Sequence, residues 1–305
     1  MNLVTTKQLF EWANDNGRAV CAFNVNNMEL IQAVTSTADK LGTPIILQIS
    51  KGARNYASLT YLMKLIEAAV SSVQIPIAVH LDHGDSFELC KEVLDAGFTS
   101  VMIDGSHLPF EENIKLTKRV VDYAKKFGAS VEGELGTIAG IEEEKSNEKN
   151  LYTDPTTVRE YVERTGVTSL AISIGTAHGA FKYKSPNPQL RFDILEQIHR
   201  EIPNIPLVLH GASSVTPKDV ETINKFGGRL ENAFGVSEDV LAKSIPLGVR
   251  KINIDSDLRL AFSAALRKHF FAQPEHFDPR QYLSVARDHV AGVVERKLRA
   301  FSVPA

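Results

Sequence analysis

Three histidines have the type and placement to hold a metal: His83, His178 and His210 each stand at or just past the C-terminal end of a different apolar run. Any one of them alone reads as a structural histidine satisfied by its neighbours. Together, if the runs are strands that converge, three imidazoles plus an open position make a catalytic zinc arrangement, the open position being free for a substrate oxygen. Beside the first lies Asp82, in His80-Leu-Asp-His-Gly84. An aspartate so close to a divalent cation moves a proton if it stays off the metal, or fixes an imidazole tautomer from behind. The sequence leaves both roles open. Asp104 and Glu134 also end apolar runs and form a candidate carboxylate wall, serving either as alternate or second-metal ligands or as hydrogen-bonding structure.

A second kind of chemistry is suggested by glycine-bearing turns. Gly175-Thr-Ala-His-Gly-Ala-Phe-Lys182 and His210-Gly-Ala-Ser213 can present backbone N–H groups without side-chain obstruction. Asn253, Asp255 and Ser256 follow the last apolar run and complete a candidate phosphate pocket of the kind barrels build beside strands seven and eight.

The elements that must position these groups are short β-rich runs alternating with longer amphipathic stretches, the pattern of repeated βα units around a parallel sheet. Eight runs are predicted as strands: Arg18–Asn24, Pro44–Ile49, Pro76–Leu81, Thr99–Asp104, Ser130–Leu135, Thr168–Ile174, Pro206–His210 and Val249–Ile254. Between them, Glu29–Leu41 places Leu30, Ile31, Val34, Ala38 and Leu41 on one stripe and stops at Gly42; Asp85 is a candidate helix cap with Glu88 behind it and Gly97 at the stop. The fold expected is a closed (β/α)8 TIM barrel, one domain over residues 1–305. The polar stretch Thr137–Asn150 reads as a solvated surface loop, or as a mobile lid since it leaves strand five on the active-site face.

Bulk properties set limits. With 43% hydrophobic and 23% charged residues, the 305-residue chain has the composition of a globular protein. Its net charge of −3 gives no basic footprint for nucleic acid, so phosphate recognition must be local. Neither a signal peptide nor an apolar run of membrane-spanning length is visible, and a cytoplasmic protein with no membrane partner is expected. Cys21 and Cys90 are too few for a disulfide framework and are read as small buried apolar residues.

The ordered motifs His80-x-Asp-His-Gly84, Glu132-x-Glu-Leu-Gly136, His178-Gly-x-x-Lys182, His210-Gly-Ala-Ser213 and Asn253-x-Asp-Ser-Asp257 closely resemble those of class II fructose-bisphosphate aldolases, and the length resembles the shorter class IIB branch. The resemblance implies reversible cleavage of fructose 1,6-bisphosphate to dihydroxyacetone phosphate and glyceraldehyde 3-phosphate, a step of glycolysis and gluconeogenesis, through a metal-stabilised enediolate. It implies zinc on His83, His178 and His210, Asp82 as proton carrier on the aldehyde side, and Glu142 moving the dihydroxyacetone-phosphate proton, with Glu143 and Glu144 as neighbouring candidates. It further implies that Gly179, Lys182, Gly211, Ser213, Asp255 and Ser256 receive the C1 phosphate and Asn253 the enediolate. Backbone carbonyls of Ala177, Gly179 and Gly211 would lie near a monovalent cation, Na+ or K+. Ser50, Asp278 and Arg280 resemble the contacts to the distal hydroxyls and C6 phosphate, and Arg259 the arginine lent by a neighbouring subunit, which implies a homodimer or homotetramer. The chain departs from the family at Ala139, where Gly or Met is usual, and at Ser256, which keeps the hydroxyl of a common Thr. The rival readings are tagatose 1,6-bisphosphate as substrate, a Schiff base on Lys251, and a zinc-bearing sugar-phosphate-binding barrel without turnover.

Overall fold

The computed structural model describes residues 2–142, 145–147, 152–180, 183 and 188–303, with the side chains of 139–142 and 145–147 outside that description. Its centre is a closed barrel of parallel strands, β1 (Val20–Asn24), β2 (Ile45–Ser50), β3 (Ile77–Gly84), β4 (Ser100–Ile103), β5 (Ser130–Leu135), β6 (Ser169–Ile172), β7 (Leu207–Leu209) and β8 (Val249–Ile254). Each strand pairs with the next, and β1 closes on β8 in the register Val20↔Lys251 to Phe23↔Ile254. Helices cover the outside, as the alternating pattern requires. The expected TIM barrel and its eight strands are therefore present.

Alternate strand residues point outward into one large apolar layer, with Phe23, Leu47, Val79, Val101, Leu170 and Ile252 packed against the helices. The helix Met28–Lys40 contributes Leu30, Ile31, Val34 and Ala38 to that layer and is followed by Gly42 at φ 62°, where a residue without Cβ enters the left-handed region freely. The interior is different. A small apolar cluster of Met102, Ala171 and Val208 shares it with His80, Glu132 and Lys251, each buried. The opposite mouth is stopped by the helix Thr6–Asn16, opened by a Thr5/Gln8 capping box, whose Leu9, Phe10 and Ala13 pack on Val20, Ala22, Ile46 and Ala78. Only the C-terminal mouth is left for chemistry.

Two local expectations need correction. The helix Phe87–Asp95 is capped by Ser86, whose Oγ accepts from Leu89 N, rather than by Asp85; Asp85 instead pairs with Lys51. The stretch read as a loop contains a hairpin, Ala139–Glu142 antiparallel to Lys145–Asn147. Its first strand runs parallel to Ala177–His178, with Gly140 opposite His178. Besides its local partner, this strand is held by one more than thirty residues on, which local pattern does not reveal.

Candidate active site

Asp82 and His83 arrive at the mouth through an irregularity in β3. Its register on β4 shifts between Leu81 and Gly84, the local kink by which a strand re-aims side chains. His83 takes φ 47°, a left-handed backbone that non-glycine residues adopt rarely and chiefly at functional sites. Gly84 completes the bend because a Cβ there would meet Met102 O at 2.5 Å. His178 is set by its strand against Gly140, and His210 is the residue after β7.

The three rings converge. Their centroids lie 4.4 Å apart for His83 and His210, 5.0 Å for His83 and His178, and 6.1 Å for His178 and His210. One ligand nitrogen of each lies within 4.8 Å of the others. Zn–N bonds of about 2.0–2.1 Å in tetrahedral geometry ask for nitrogens about 3.4 Å apart, so the donor set fits a divalent ion after a small contraction. Asp104 and Glu134 join His83 in a second group within the same 4.8 Å limit, with Nδ1 of His83 3.5 Å and 3.8 Å from their carboxylate oxygens.

What orients His210 lies beneath it. Its Nε2–H donates to Glu132 Oε1 at 2.6 Å, and the other oxygen of Glu132 accepts from Lys251 Nζ at 2.8 Å. With the proton on Nε2, the lone pair is on Nδ1, the nitrogen a metal needs. Burial first, then the positive neighbours His83 and Lys251, push the His210 pKa well below the usual histidine range, keeping the ring neutral. This carboxylate–histidine pairing is the support that tunes metal ligands. Lys251 also donates to His80 Nε2 at 3.2 Å and has no exposed surface. Ion-paired to Glu132 inside the barrel, it lacks the access that a Schiff base needs.

Asp82 sits 2% exposed. Its Oδ2 accepts from Asn24 Nδ2 at 2.6 Å and its Oδ1 from Asn253 Nδ2 at 3.3 Å; Asn24 is itself held by Gln48 Nε2 at 2.9 Å. Burial pushes the Asp82 pKa up, but His83, Lys251 and the Asn24 hydrogen bond outweigh it and leave it lowered. The carboxylate is thus ionised and able to accept a proton. Asn253 Nδ2 also lies 2.8 Å from His210 Nδ1, so Asn253 spans Asp82 and the histidine cluster.

The other predicted residues divide. Ser50 lies opposite Asp82 in the β2–β3 register and caps the helix Lys51–Ala57 through Ala53 N. Gly211 has φ 62°, and a Cβ on it would fall 2.6 Å from the Ala177 carbonyl group, so the two glycine-bearing turns touch where no side chain fits. Gly179 has φ 84°, Ser213 is buried, and Asp255 and Ser256 open the helix Ser256–Ala272 at the end of β8, where helix N-terminal N–H groups favour an anion. Arg259 bonds its own chain's Asp255 at 2.7 Å. Asp278 and Arg280 are engaged with each other at the start of the helix Pro279–Phe301. Lys182, Glu143 and Glu144 lie outside the described residues, as does the side chain of Glu142. Sequence reasoning missed Asn24, Gln48 and the role of Glu132 with Lys251. The available signal was polar residues in strands buried on both faces, which must pair with each other.

A closed βα barrel with a three-histidine cluster and a buried carboxylate at its C-terminal mouth has the architecture of a metal-dependent barrel enzyme. Residues 4–303 match the family "Fructose-bisphosphate aldolase class-II". The chain belongs to the class II fructose-bisphosphate aldolase family, which implies a divalent metal, typically zinc. It is 48% identical to the fructose-bisphosphate aldolase of Giardia intestinalis, covering 99% of this chain and 93% of that one. To the fructose-bisphosphate aldolase of Thermus caldophilus it is 44% identical, with 98% of both chains covered. Among solved structures, the YdjI aldolase of Escherichia coli K12 superposes with a TM-score of 0.80 at 28% identity, over 99% of this chain and 98% of that one. No helix among the described residues is long and apolar enough to cross a membrane.

Proposed function

We propose that this chain reversibly cleaves fructose 1,6-bisphosphate to dihydroxyacetone phosphate and glyceraldehyde 3-phosphate, with zinc held by His83, His178 and His210. The observation that carries this reading is the convergence of the three ligand nitrogens within 4.8 Å, beside a buried and ionised Asp82. When bound, the divalent ion supplies Lewis-acid stabilisation of the negative charge that develops on substrate oxygens during carbon–carbon cleavage. Asp82 takes the proton of the aldehyde-side hydroxyl as the bond breaks and returns it in condensation. Asn253, already poised between Asp82 and His210, donates to the enediolate oxygens. Glu142 exchanges the proton of the dihydroxyacetone-phosphate carbon. Gly179, Lys182, Gly211, Ser213, Asp255 and Ser256 hold the C1 phosphate, which fixes the reacting carbons and converts encounter into an oriented step. Ser50 approaches the distal hydroxyls, with Asp278 and Arg280 toward the C6 phosphate.

The whole chain, 1–305, acts as a single barrel domain of the class IIB type in the cytoplasm, in glycolysis. Asp104 and Glu134 give an alternate metal position with His83, and the carbonyls of Ala177, Gly179 and Gly211 take Na+ or K+. Arg259 reaches a neighbouring subunit's substrate in a homodimer or homotetramer. The test is the cleavage rate of zinc-loaded protein on fructose and tagatose 1,6-bisphosphates, which differ at C4. A higher kcat/KM for the fructose epimer supports the reading; preference for the tagatose epimer, or no cleavage of either, overturns it.

A further inference from the structure

The turn after β7 has a feature that substrate contacts do not explain. Val215, a β-branched residue, takes φ 51°, a conformation that surroundings must impose on such a side chain. The imposing group is Asp257, one residue into the helix after Ser256. Its Oδ2 accepts from Ser214 N at 2.9 Å and its Oδ1 from Val215 N at 2.7 Å. Asp257 is in turn held by Lys297 of the helix Pro279–Phe301, whose Nζ lies 2.7 Å from Asp257 Oδ2, 2.6 Å from Ser214 Oγ and 2.9 Å from Glu238 Oε1. The three donors of the ammonium are thus all engaged. Lys297 has no exposed surface and Asp257 only 1%. From a third side Val236 N donates to Ser213 O at 3.3 Å, and Gly235 packs so closely that a Cβ on it would lie 2.3 Å from Ser214 C and 2.4 Å from Ser213 O.

We infer that Lys297 and Asp257 are positioning residues for the phosphate-binding turn Gly211–Val215, acting through the backbone of Ser214 and Val215. The inference rests on the proposed aldolase reading, in which Gly211 and Ser213 receive the C1 phosphate. A buried ion pair contributes little net stability compared with an apolar pair of the same shape, because both ions must be desolvated. What it does here is direct two backbone donors at fixed angles. Committing the Ser214 and Val215 N–H groups to Asp257 sets the peptide planes on the C-terminal side of Ser213 and so the aim of the donors that precede them. The link runs from a helix near the C-terminus to the substrate pocket without touching substrate or the histidine cluster.

The consequence is a split in kinetics. Misaiming of the turn's donors, with the phosphate still held, weakens binding of ground and transition states alike, raising KM with kcat nearly retained. In full-length, zinc-loaded enzyme, Lys297→Met is expected to raise KM for fructose 1,6-bisphosphate and the inhibition constant of inorganic phosphate each by about tenfold. Saturating kcat should stay within about threefold, and zinc affinity, read by competition with a chromogenic chelator, should be unchanged. Ser214→Ala removes one Lys297 contact without baring a buried charge. It is expected to raise KM about threefold and decides the matter if Lys297→Met does not fold by circular dichroism. KM and phosphate inhibition within twofold of wild type in a folded Lys297→Met, or an unaltered KM in Ser214→Ala when the former does not fold, overturns the positioning role alone. Wild-type protein that cleaves neither bisphosphate overturns the aldolase reading and, with it, this inference.

Discussion

Replacing Glu132 by Gln isolates the polar support under the metal site. The wild-type carboxylate accepts twice, from His210 Nε2 at 2.6 Å and from Lys251 Nζ at 2.8 Å. An amide of the same shape accepts with one end and donates with the other. Lys251 has no acceptor role, so the substituted amide must turn its oxygen to Lys251 and its NH2 to His210. The histidine is then driven to the tautomer with its proton on Nδ1, which removes the lone pair a metal requires. Losing such support typically lowers metal affinity 10–100-fold, about 1.4–2.7 kcal/mol. Lys251, which is fully buried, keeps a neutral partner but loses its counter-charge, a loss of up to about 3–5 kcal/mol in fold stability. Chelator competition gives the zinc affinity of Glu132→Gln, and urea unfolding of the metal-free protein gives the stability. Adding Lys251→Met frees the amide oxygen to accept from His210 and should restore a good part of the zinc affinity. A Glu132→Gln protein that binds zinc within threefold of wild type refutes the tautomer reasoning.

Asp82→Asn removes the proton carrier in a side chain of the same shape, keeping one of the two accepted hydrogen bonds; kcat should fall by about 10²–10⁴ with zinc affinity held within threefold, and near-normal turnover would assign the proton to another group. Gly211→Ala drives a Cβ into the Ala177 carbonyl at 2.6 Å with φ at 62°, costing about 1–2 kcal/mol from the backbone alone. Displacing the turn should raise KM for fructose 1,6-bisphosphate about tenfold, about 1.4 kcal/mol of binding, and an unaltered KM would show that the two turns need not touch. Burial, then Lys251, hold the His80 pKa well below the usual 6.5. As pH falls through that value the unfolded chain takes up a proton that the fold refuses. The contribution is therefore fully present above about pH 6.5 and lost on acidification, by up to about 1.4 kcal/mol per unit. Urea midpoints of metal-free protein between pH 7.5 and 5.5 test this, because His80→Gln should flatten the slope by one proton and an equal slope in both proteins would contradict it.

The barrel was legible because its strands are buried on both faces and read as apolar runs: Ser130–Leu135 and Val249–Ile254 match their expected bounds to the residue. The histidines and Asp82 were legible because chemistry at strand ends is carried by short local motifs. The paired strands Ala139–Glu142 and Lys145–Asn147 were not, since the first of them also pairs with the distant Ala177–His178. The contacts beneath the site were hidden for a related reason. Glu132, Lys251 and His80 belong to three strands, and Asp257 and Lys297 to two helices; only closure of the barrel brings them together. Lys251 shows the difference most plainly, because in sequence it is a lone strand lysine open to a Schiff-base reading, whereas in the fold it is the counter-ion of Glu132.

The most direct test of the central claim is titration of metal-stripped enzyme with zinc while following fructose 1,6-bisphosphate cleavage. Chelation with EDTA is expected to abolish activity, and zinc to restore it with saturation near one equivalent per chain, in the wild type but not in His83→Ala, His178→Ala or His210→Ala. Cleavage that persists in EDTA, with the substrate trapped on a lysine by borohydride, would contradict it.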